Sequence, residues 1–377
     1  MTKTLITGGA GFIGSRLALR LIAAGHEVTV VDTLSPQVHG ADPEQSDLFQ
    51  AIQGKVRFIR GSVVDRALMQ EAMAGQEVIV HFAAETGTGQ SMYQIDHYTR
   101  VNVGGTALML DILANAPRTV RRFVVASSRS IYGEGRYLSP ELGYVYPGPR
   151  AAADMQAGDF DVKYPGAVAP LQLVATDEDS KIHPSSVYGI SKQVQEQLVM
   201  TVCPSIGIEG VAFRYQNVFG PGQSLSNPYT GILSIFSNLM MQGKAINIFE
   251  DGEESRDFVF VDDVVEATLL GIEHPLAANE VFNVGTGVPI SVSRVVQVLA
   301  QLIRGDVPAT ISGNFRLGDI RHNFASIEKI GRLLGFTPAY DFERGVALLV
   351  AWAHGAGAKA SPYEASLQEM RQKGLLK

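Results

Sequence analysis

A glycine-rich turn between an apolar strand and an apolar helix most constrains how this chain can fold. The segment TKTLIT has the composition of a short buried strand, TGGAGFIG follows it, and GFIGSRLALRLIAAG carries apolar residues at helical spacing up to Gly25. HEVTVVD then follows as a second strand rich in β-branched residues. A strand, a glycine turn, a helix and a strand in this order predict a parallel βαβ unit.

The same alternation continues along the first half of the chain. The apolar runs VRFIRG, EVIVHFA and RRFVVAS alternate with helical segments around residues 65–74 and 96–116, and SSVYGISKQVQEQLV and GVAFRYQNVFG add a helix and a strand. Short strands that are apolar on both faces are typical of a parallel sheet covered by helices on both sides. We therefore predict an α/β fold with a Rossmann-type, doubly wound parallel sheet.

Changes in this alternation suggest the domain organisation. Residues 1–220 form the predicted Rossmann domain, with an inserted loop or lid at about residues 133–182, where Gly, Pro and Tyr are frequent. Smaller, mixed elements at residues 221–355 predict a mixed α/β domain that caps the substrate and exchanges some chain with the first. Residues 356–377 are predicted to be a loosely attached tail.

The composition restricts the partners. The 377 residues carry a formal net charge of −7, so the chain lacks the basic surface that nucleic-acid binding requires and we expect no nucleic-acid partner. No apolar run is long enough to span a bilayer and the N-terminus lacks a signal-peptide pattern, so we expect a cytoplasmic protein with no membrane partner. Cys203 is the only cysteine and the eight histidines show no paired ligand spacing, so we expect no disulfide and no metal site.

The glycine turn predicts a dinucleotide site. Gly9, Gly11 and Gly14 fit G-x-G-x-x-G after a strand and at the start of a helix, as the motif requires. Missing side chains let the backbone approach a pyrophosphate, and the helix N-terminus offers it free N–H groups. Asp32 ends the second strand, where a carboxylate can accept from both ribose hydroxyls and would repel a 2′-phosphate. The pattern predicts NAD rather than NADP.

Three further polar residues have structural alternatives. Asp65, in RGSVVD, could bind the adenine amino group or cap a loop or helix. His81 and Asn102 are predicted to lie beside the carboxyl edge of the sheet, and we expect both to support the cofactor pocket structurally.

The stretch SSVYGISK predicts a catalytic pair. Tyr188 and Lys192 are four residues apart and therefore lie on one face of the predicted helix. A tyrosine with a pKa of about 10 is a poor base at neutral pH, but a nearby ammonium and a positive nicotinamide ring stabilise the phenolate. The alternative interpretation is an exposed pair on a helix surface. The catalytic interpretation is favoured because the chain also has the dinucleotide motif and serines at the end of RRFVVASS.

These motifs together resemble those of the extended short-chain dehydrogenase/reductase family, specifically its NAD-dependent nucleotide-sugar epimerases and dehydratases. The similarity runs from TGGAGFIG through HFAAE, VNVGGT, YGISK, RYQNVFGPGQ and SRDFVFVDDV to GDIRH. In that family the third active-site residue precedes a Tyr-Gly pair by four positions, and in ASSRSIYGEG the match is Ser128. The resemblance implies that Ser128, Tyr188 and Lys192 are catalytic, Ser128 aligning the sugar oxygen, whereas Ser127 is a structural neighbour.

The resemblance also implies which residues bind ligands. The predicted cofactor-binding residues are Gly8, Gly11, Phe12, Ile13, Gly14, Asp32, Asp65, Ala83, Tyr188 and Lys192. The predicted substrate-binding residues are Thr86, Ser128, Asn217, Arg256 and Arg321. Of these, Asn217, Arg256 and Arg321 are expected to hold the diphosphate and nucleotide of an NDP-sugar, dTDP- or UDP-linked, and salt bridges are the alternative for the arginines.

Position 129 distinguishes two activities of the family. Members that eliminate water carry an acidic pair directly after the Ser/Thr, because loss of a C5 proton and a C6 hydroxyl needs a base and an acid. This chain has Arg129 and Ser130 there. The resemblance therefore implies a 4-epimerase: Tyr188 removes the C4 hydroxyl proton, the C4 hydride moves to NAD, and hydride returns to the opposite face of the 4-keto sugar. We expect Arg129 to form a surface or hinge salt bridge.

Two stretches point to a branch of the family. ETGTGQSMY and SNPYTGILSIF resemble L-rhamnose 4-epimerases, which act on dTDP-L-rhamnose, and Met92 or Tyr93 of the first could contact the C6 methyl. The insertion lacks the cysteine pairs that some relatives carry there. A UDP-hexose 4-epimerase, another NDP-sugar oxidoreductase and a non-catalytic NAD-binding sensor are the alternatives. The family's assembly implies a homodimer through the helices near residues 96–116 and 185–203.

Overall fold

The protein was analysed as a computed structural model that describes residues 1–229, 231–303 and 307–377. Its strands are β1 (Lys3–Thr7), β2 (Glu27–Asp32), β3 (Arg57–Arg60), β4 (Val78–His81), β5 (Arg122–Ser128), β6 (Tyr137–Ser139), β7 (Gly143–Val145), β8 (Gln172–Leu173), β9 (Glu209–Tyr215), β10 (Asn217–Phe219), β11 (Ile246–Ile248), β12 (Ser255–Phe260), β13 (Glu280–Val284), β14 (Pro289–Ser291), β15 (Ala309–Ile311) and β16 (His322–Asn323).

The helices are α1 (Phe12–Ala23), α2 (Pro36–His39), α3 (Asp47–Ile52), α4 (Arg66–Met73), α5 (Thr88–Ser91), α6 (Ile95–Tyr98), α7 (Gly105–Asn115), α8 (Ala152–Gln156), α9 (Val187–Ser205), α10 (Ile232–Met241), α11 (Val261–Glu273), α12 (Val292–Leu302), α13 (Glu328–Leu334), α14 (Phe342–Ala356) and α15 (Tyr363–Gln372). A π-helical segment, Thr99–Gly104, joins α6 to α7, and 3₁₀ turns lie at Pro43–Gln45, Arg129–Tyr132 and Pro275–Ala277.

A seven-stranded parallel sheet has the order β13-β9-β5-β4-β1-β2-β3, which confirms the predicted Rossmann-type fold. The chain order reverses at β1, because β2 and β3 lie on one side of it and β4, β5 and β9 on the other. In doubly wound folds, ligands bind at the carboxyl ends of the strands beside such a reversal. The ends of β1, β4 and β5 therefore mark the position where the site is expected.

The strands of this sheet are buried on both faces, as the sequence predicts. Every residue of β4 and β5 is buried. Helices α1, α3, α11 and α13 cover one face, and α4, α7 and α9 cover the other. Cys203 is fully buried on the second face, where it packs as a small apolar residue. Close packing on both faces holds the carboxyl edge of the sheet in place.

The region after residue 216 is smaller and mixed. Strand β12 pairs with β10 and β16 in parallel and with β14 in an antiparallel direction, and α10, α12 and α14 pack with them around Phe219, Phe258 and Phe260. The predicted single strand GVAFRYQNVFG is in fact two: β9 ends in the main sheet, the Gln216 N–H donates to the Val284 carbonyl at 2.9 Å, and β10 joins the second sheet. This break carries Asn217 away from the main sheet.

Two regions are more ordered than the sequence suggests. The insertion at residues 133–182 contains the antiparallel strands β7-β6-β8 and helix α8. The prediction of a loosely attached tail is wrong, because α15 and the residues after it bury Leu367, Met370 and Leu376 in an apolar cluster of their own. Among the described residues, no helix is long and apolar enough to cross a membrane, and no group of three acidic, histidine or cysteine side chains could hold a metal ion.

Candidate active site

The turn between β1 and α1 fits a bound dinucleotide. Gly8 has a φ of +69°, and a Cβ there would lie 2.7 Å from the backbone nitrogen of Ala83. A Cβ at Gly14 would lie 2.3 Å from the carbonyl oxygen of Gly8, so α1 can pack against the turn only without a side chain at that position. Gly11 is the N-cap of α1 and makes no side-chain cap, which leaves the N–H groups of Phe12 and Ile13 directed out of the helix end.

Asp32, at the end of β2, shapes the same turn. One carboxylate oxygen accepts from the N–H of Ala10 at 3.0 Å, and the other accepts from the N–H of Leu34 at 2.9 Å. The side chain is half-buried at the edge of the turn. The structure therefore gives Asp32 a structural role that the sequence did not predict, and the contact with the ribose stays a prediction.

The supporting residues behave largely as expected. Asp65 is exposed and caps α4, its carboxylate accepting from the N–H of Leu68 at 3.1 Å, which is the structural alternative that the sequence left open. His81 is buried between the hydroxyls of Thr7 and Thr106 at 2.7 and 2.9 Å. Asn102 accepts from the Glu85 N–H at 2.7 Å and thereby fixes the loop after β4.

A close approach of α9 to the end of β5 brings the catalytic candidates together. Ser186 caps α9 by accepting from the N–H of Gly189 at 3.1 Å. A Cβ at Gly189 would lie 2.6 Å from the carbonyl oxygen of Ser130, so glycine is required for this contact. Tyr188, between them in sequence, lies beside Ser128 at the end of β5, and the two hydroxyls interact. Ser127 is 3% exposed and stays within the sheet.

The third candidate, Lys192, lies one turn further along α9. It is 3% exposed, and its ammonium donates to the carbonyl of Ala126 in β5 at 2.9 Å. Burial lowers the pKa of Lys192 to about 7. The structure thus brings Ser128, Tyr188 and Lys192 together at one strand end, as the sequence predicts.

Arg129 supplies a positive charge at Tyr188 that the sequence did not predict. Burial raises the pKa of Tyr188, while the hydroxyl of Ser128 and the positive charge of Arg129 lower it. The sequence assigns this task to Lys192, whose ammonium donates to the carbonyl of Ala126, and its effect on Tyr188 stays a prediction.

Arg129 is therefore part of the site, and the prediction of a surface or hinge salt bridge is wrong. Its Nε donates to the side-chain oxygen of Asn217 at 2.8 Å, and the side chain lines the cleft. Burial, together with the charge of Arg256, lowers the pKa of Arg129 to about 9, although Asp319 acts in the opposite direction. The Arg129–Tyr132 turn after β5 directs the guanidinium of Arg129 toward β10. The apolar pattern that predicts β5 does not reveal this direction.

The two other predicted arginines differ in their contacts. Arg321 is 4% exposed, and its fork donates to both carboxylate oxygens of Asp251 at 2.6 Å and to Glu250 at 3.0 Å. This internal ion pair leaves its fork engaged, so the prediction that Arg321 holds the diphosphate is wrong. Arg256 donates to Asp319 at 3.0 Å and to the carbonyl of Ile320 at 2.7 Å, which orders the loop that borders the cleft.

The sequence reasoning missed Arg316 and Asp319, which both line the cleft. Arg316 lies over the ring of Phe249 at 4.9 Å. Gly318, between them, has a φ of +79°. The signal was present, since the glycine within FRLGDIRH marks a turn between Arg316 and the residues that lead to the buried Arg321.

The cleft has two walls. The first consists of the Arg129–Tyr132 turn, the start of α9 and the loop after β4, and the second consists of the loop at residues 316–320 together with two residues of the C-terminus. The cleft-lining side chains of the first wall include Thr88, Met92, Arg129, Ser130, Ser185 and Ser186, and those of the second include Arg316, Leu317, Asp319, Ile320, Met370 and Leu375. Thr86 is exposed in the loop after β4, two residues before the lining begins.

Comparison with known proteins agrees with this geometry. The chain matches the NAD dependent epimerase/dehydratase family over residues 4–151 and 163–285, and it belongs to that family. It is 34% identical to the dTDP-L-rhamnose 4-epimerase of Burkholderia thailandensis over 93% of this chain and 94% of that protein.

Solved structures of relatives are similar over almost the whole chain. The UDP-glucose 4-epimerase of Thermotoga maritima, solved with UDP-glucose, is 28% identical with a TM-score of 0.75 over 94% of this chain and 99% of that one. MoeE5, solved with UDP-glucuronic acid and NAD, is 27% identical with a TM-score of 0.74 over the same shares. The protein is thus an NAD-dependent nucleotide-sugar 4-epimerase, and its cofactor is NAD.

Proposed function

We propose that this epimerase acts on a 6-deoxyhexose linked to dTDP, converting dTDP-L-rhamnose to dTDP-6-deoxy-L-talose. The observation that carries the choice of sugar is Met92, which is 40% exposed and lines the cleft in the loop after β4. A methyl at C5 gains an apolar contact there, whereas a hydroxymethyl or carboxylate loses water without gaining a partner. The 34% identity to a dTDP-L-rhamnose 4-epimerase supports the same sugar.

In the proposed mechanism, Tyr188 is the acid and base and Ser128 aligns the sugar. The Tyr188 phenolate takes the proton of the C4 hydroxyl, which Ser128 holds by a hydrogen bond, and the charge of Arg129 favours this phenolate. NAD, when bound, accepts the C4 hydride and returns it. After the 4-keto sugar has turned within the cleft, Tyr188 gives its proton back to the C4 oxygen, and the configuration is inverted.

The residues after Ser128 support epimerisation over dehydration. Arg129 carries a positive charge and Ser130 a hydroxyl, whose oxygen accepts from Ser128 at 3.1 Å. Neither can remove a C5 proton as a carboxylate does. Dehydration therefore lacks its base at this position.

The ligand contacts are assigned by position. We propose that the N–H groups at the start of α1, made accessible by Gly8, Gly11 and Gly14, hold the pyrophosphate of NAD, and that Asp32 binds the adenosine ribose. Ala83, next to Gly8, and Lys192 border the same site, with Asp65 on the adenine side.

For the sugar nucleotide, we propose that Arg316 replaces Arg321 as the main ligand of the diphosphate, because its side chain lines the cleft. Asn217 and Arg256 hold Arg129 and the loop of Asp319 in position beside it. Thr86 remains a proposed contact of the sugar.

We further propose that the enzyme is a homodimer through α6, α7 and α9. Ile95 of α6 is 55% exposed and Ile190 of α9 is 50% exposed, and both are large apolar side chains. Sedimentation at micromolar concentration should give twice the mass of the chain, and a monomer would contradict the proposal.

The test of the function is a panel of dTDP- and UDP-sugars incubated with the purified protein, the C4 configuration being followed by NMR. We expect dTDP-L-rhamnose to have the highest kcat/KM and NADH not to accumulate. A higher kcat/KM for UDP-glucose or UDP-galactose would overturn the sugar while leaving the epimerase mechanism. Stoichiometric release of NADH would instead indicate a net oxidoreductase.

A further inference from the structure

The C-terminal segment, residues 363–377, reaches the cleft although it lies far from the catalytic residues in sequence. Helix α15 runs to Gln372, and the chain then turns back so that Met370 and Leu375 both line the cleft. Met370 is 5% exposed and packs in an apolar cluster with Leu367 and Leu376. The segment is therefore a packed part of the second wall.

One end of this segment is held by backbone pairing. The N–H of Phe315 donates to the carbonyl of Lys377 at 3.1 Å, and the N–H of Lys377 donates to the carbonyl of Phe315 at 3.0 Å. The N–H of Leu317 donates to the carbonyl of Leu375 at 2.9 Å. The C-terminal segment thus pairs with the loop that carries Arg316 as an additional short strand would.

The other side of the segment is fixed to the first wall. The hydroxyl of Tyr93 lies 2.8 Å from that of Tyr229 and donates to Glu369 of α15 at 3.2 Å, and Lys373 lies over the Tyr93 ring at 5.0 Å. Burial, together with these partners, raises the pKa of Tyr93, so its phenol stays neutral and can donate. The sequence predicts that Met92 or Tyr93 contacts the sugar methyl. In the structure, Tyr93 binds α15 and Met92 lines the cleft.

The apolar side chains of the cleft come together from both walls through this arrangement. A Cβ at Gly89 would lie 3.3 Å from the sulfur of Met370, which shows how closely α15 approaches the loop of Met92. The polar groups that line the cleft near the catalytic end, Arg129, Ser130 and Ser186, come from other elements. Met92, Met370 and Leu375 therefore form one apolar area of the cleft, which Leu317 and Ile320 of the loop at residues 316–320 also line.

We propose that Met370 and Leu375 of the C-terminal segment, with Met92, form the surface that contacts the C5 substituent and selects a methyl over a hydroxymethyl. This proposal rests on the proposed function. Ser128 is hydrogen-bonded to the cleft residue Ser130, so C4 held by Ser128 and Tyr188 is next to the cleft, and the C5 substituent, one bond away, can extend into it. A hydroxyl placed against a thioether and a leucine loses its water without a partner, whereas a methyl does not.

The test uses two substrates that differ only in the C6 hydroxyl, dTDP-L-rhamnose and dTDP-L-mannose. We expect the wild-type enzyme to prefer the first by about tenfold to a hundredfold in kcat/KM. Met370→Gln keeps the length of the side chain and offers a polar group to the hydroxyl, and should reduce this preference by about tenfold. The matched control is Leu367→Ala, in the same helix and cluster but outside the described cleft lining, which should lower the unfolding temperature and leave the preference unchanged.

The outcomes separate this proposal from the proposed function. If Met370→Gln and Leu367→Ala change both substrates by the same factor, the C-terminal segment does not contact the C5 substituent and the proposal is wrong. If Met370→Gln does not fold, Leu375→Gln provides the same comparison. Calorimetry with Tyr188→Phe measures the dissociation constants of dTDP-L-rhamnose and dTDP-L-mannose without turnover. Their ratio tests whether the surface selects the methyl at the binding step. Absence of C4 inversion in the wild type would contradict the proposed function alone.

Discussion

Each of the two walls of the cleft is held in place by a different kind of interaction. Ser128, Tyr188 and Lys192 adjoin the first wall, where β5 is hydrogen-bonded between β4 and β9 and α9 packs against its end. The second wall is a loop joined to its neighbours by the 3.0 Å ion pair between Arg256 and Asp319 and by backbone hydrogen bonds to the C-terminal segment.

This difference assigns different tasks to the two walls. Proton and hydride transfer require atoms placed within fractions of an ångström, which a sheet edge provides. Recognition of a sugar substituent tolerates more variation, because a shifted contact changes affinity rather than chemistry. We therefore expect changes to the first wall to reduce turnover and changes to the second wall to alter binding or the choice of substrate.

The largest expected effect is that of Tyr188→Phe on the first wall. Loss of the hydroxyl removes the acid and base, so kcat should fall by about a hundredfold or more while NAD binds as before. The control is Tyr93→Phe, which removes a hydroxyl that joins the first wall to Glu369 of the C-terminal segment and should leave kcat within about threefold. Turnover and calorimetric titration with NAD measure both. Retention of most activity by Tyr188→Phe would show that another group carries the proton.

The second prediction separates the two arginines of FRLGDIRH. Lysine cannot reproduce a two-pronged contact with phosphate, so Arg316→Lys should raise KM for the nucleotide sugar by about tenfold with little change in kcat. Arg321→Lys should leave KM unchanged and lower the unfolding temperature, because Arg321 binds Asp251 and Glu250 rather than the cleft. Steady-state kinetics measures KM and kcat of both variants, and thermal unfolding measures their stability. An equal rise in KM for both variants would restore Arg321 as a ligand of the substrate.

The first wall was more accessible to sequence reasoning than the second, for a physical reason. The β1–α1 turn, β5 and α9 are set by local patterns, namely glycines at a strand end, apolar runs and the four-residue spacing of Tyr188 and Lys192. The contacts of Arg129, Arg316 and the C-terminal segment join residues up to hundreds of positions apart. Local periodicity carries no information on such pairs, so the direction of Arg129 and the packing of α15 emerged only from the fold.

The third prediction concerns the pH dependence of the first wall. Activity requires the Tyr188 phenolate, so it falls as the pH drops through the pKa of Tyr188. Arg129 lowers that pKa, and Arg129→Met should therefore move the fall in kcat to higher pH and reduce turnover at pH 7 by about tenfold. Arg129→Lys keeps the charge and should retain most of the profile. A profile of Arg129→Met that is lowered uniformly at every pH would indicate a structural role through Asn217 instead.

The smallest expected effect tests the edge of the first wall at Asp32. Two like charges about 4 Å apart in water repel by about 1 kcal/mol, so Asp32→Asn should narrow the preference for NAD over NADP by about fivefold. The amide oxygen can still accept from Ala10 or Leu34, which limits the damage to the turn. Asp65→Asn is the matched control: Asp65 is an exposed helix cap, so its loss should affect both cofactors equally and leave the ratio unchanged. The dissociation constants of each variant for NAD and NADP measure the effect. If the wild type binds NADP more tightly than NAD, Asp32 does not select NAD.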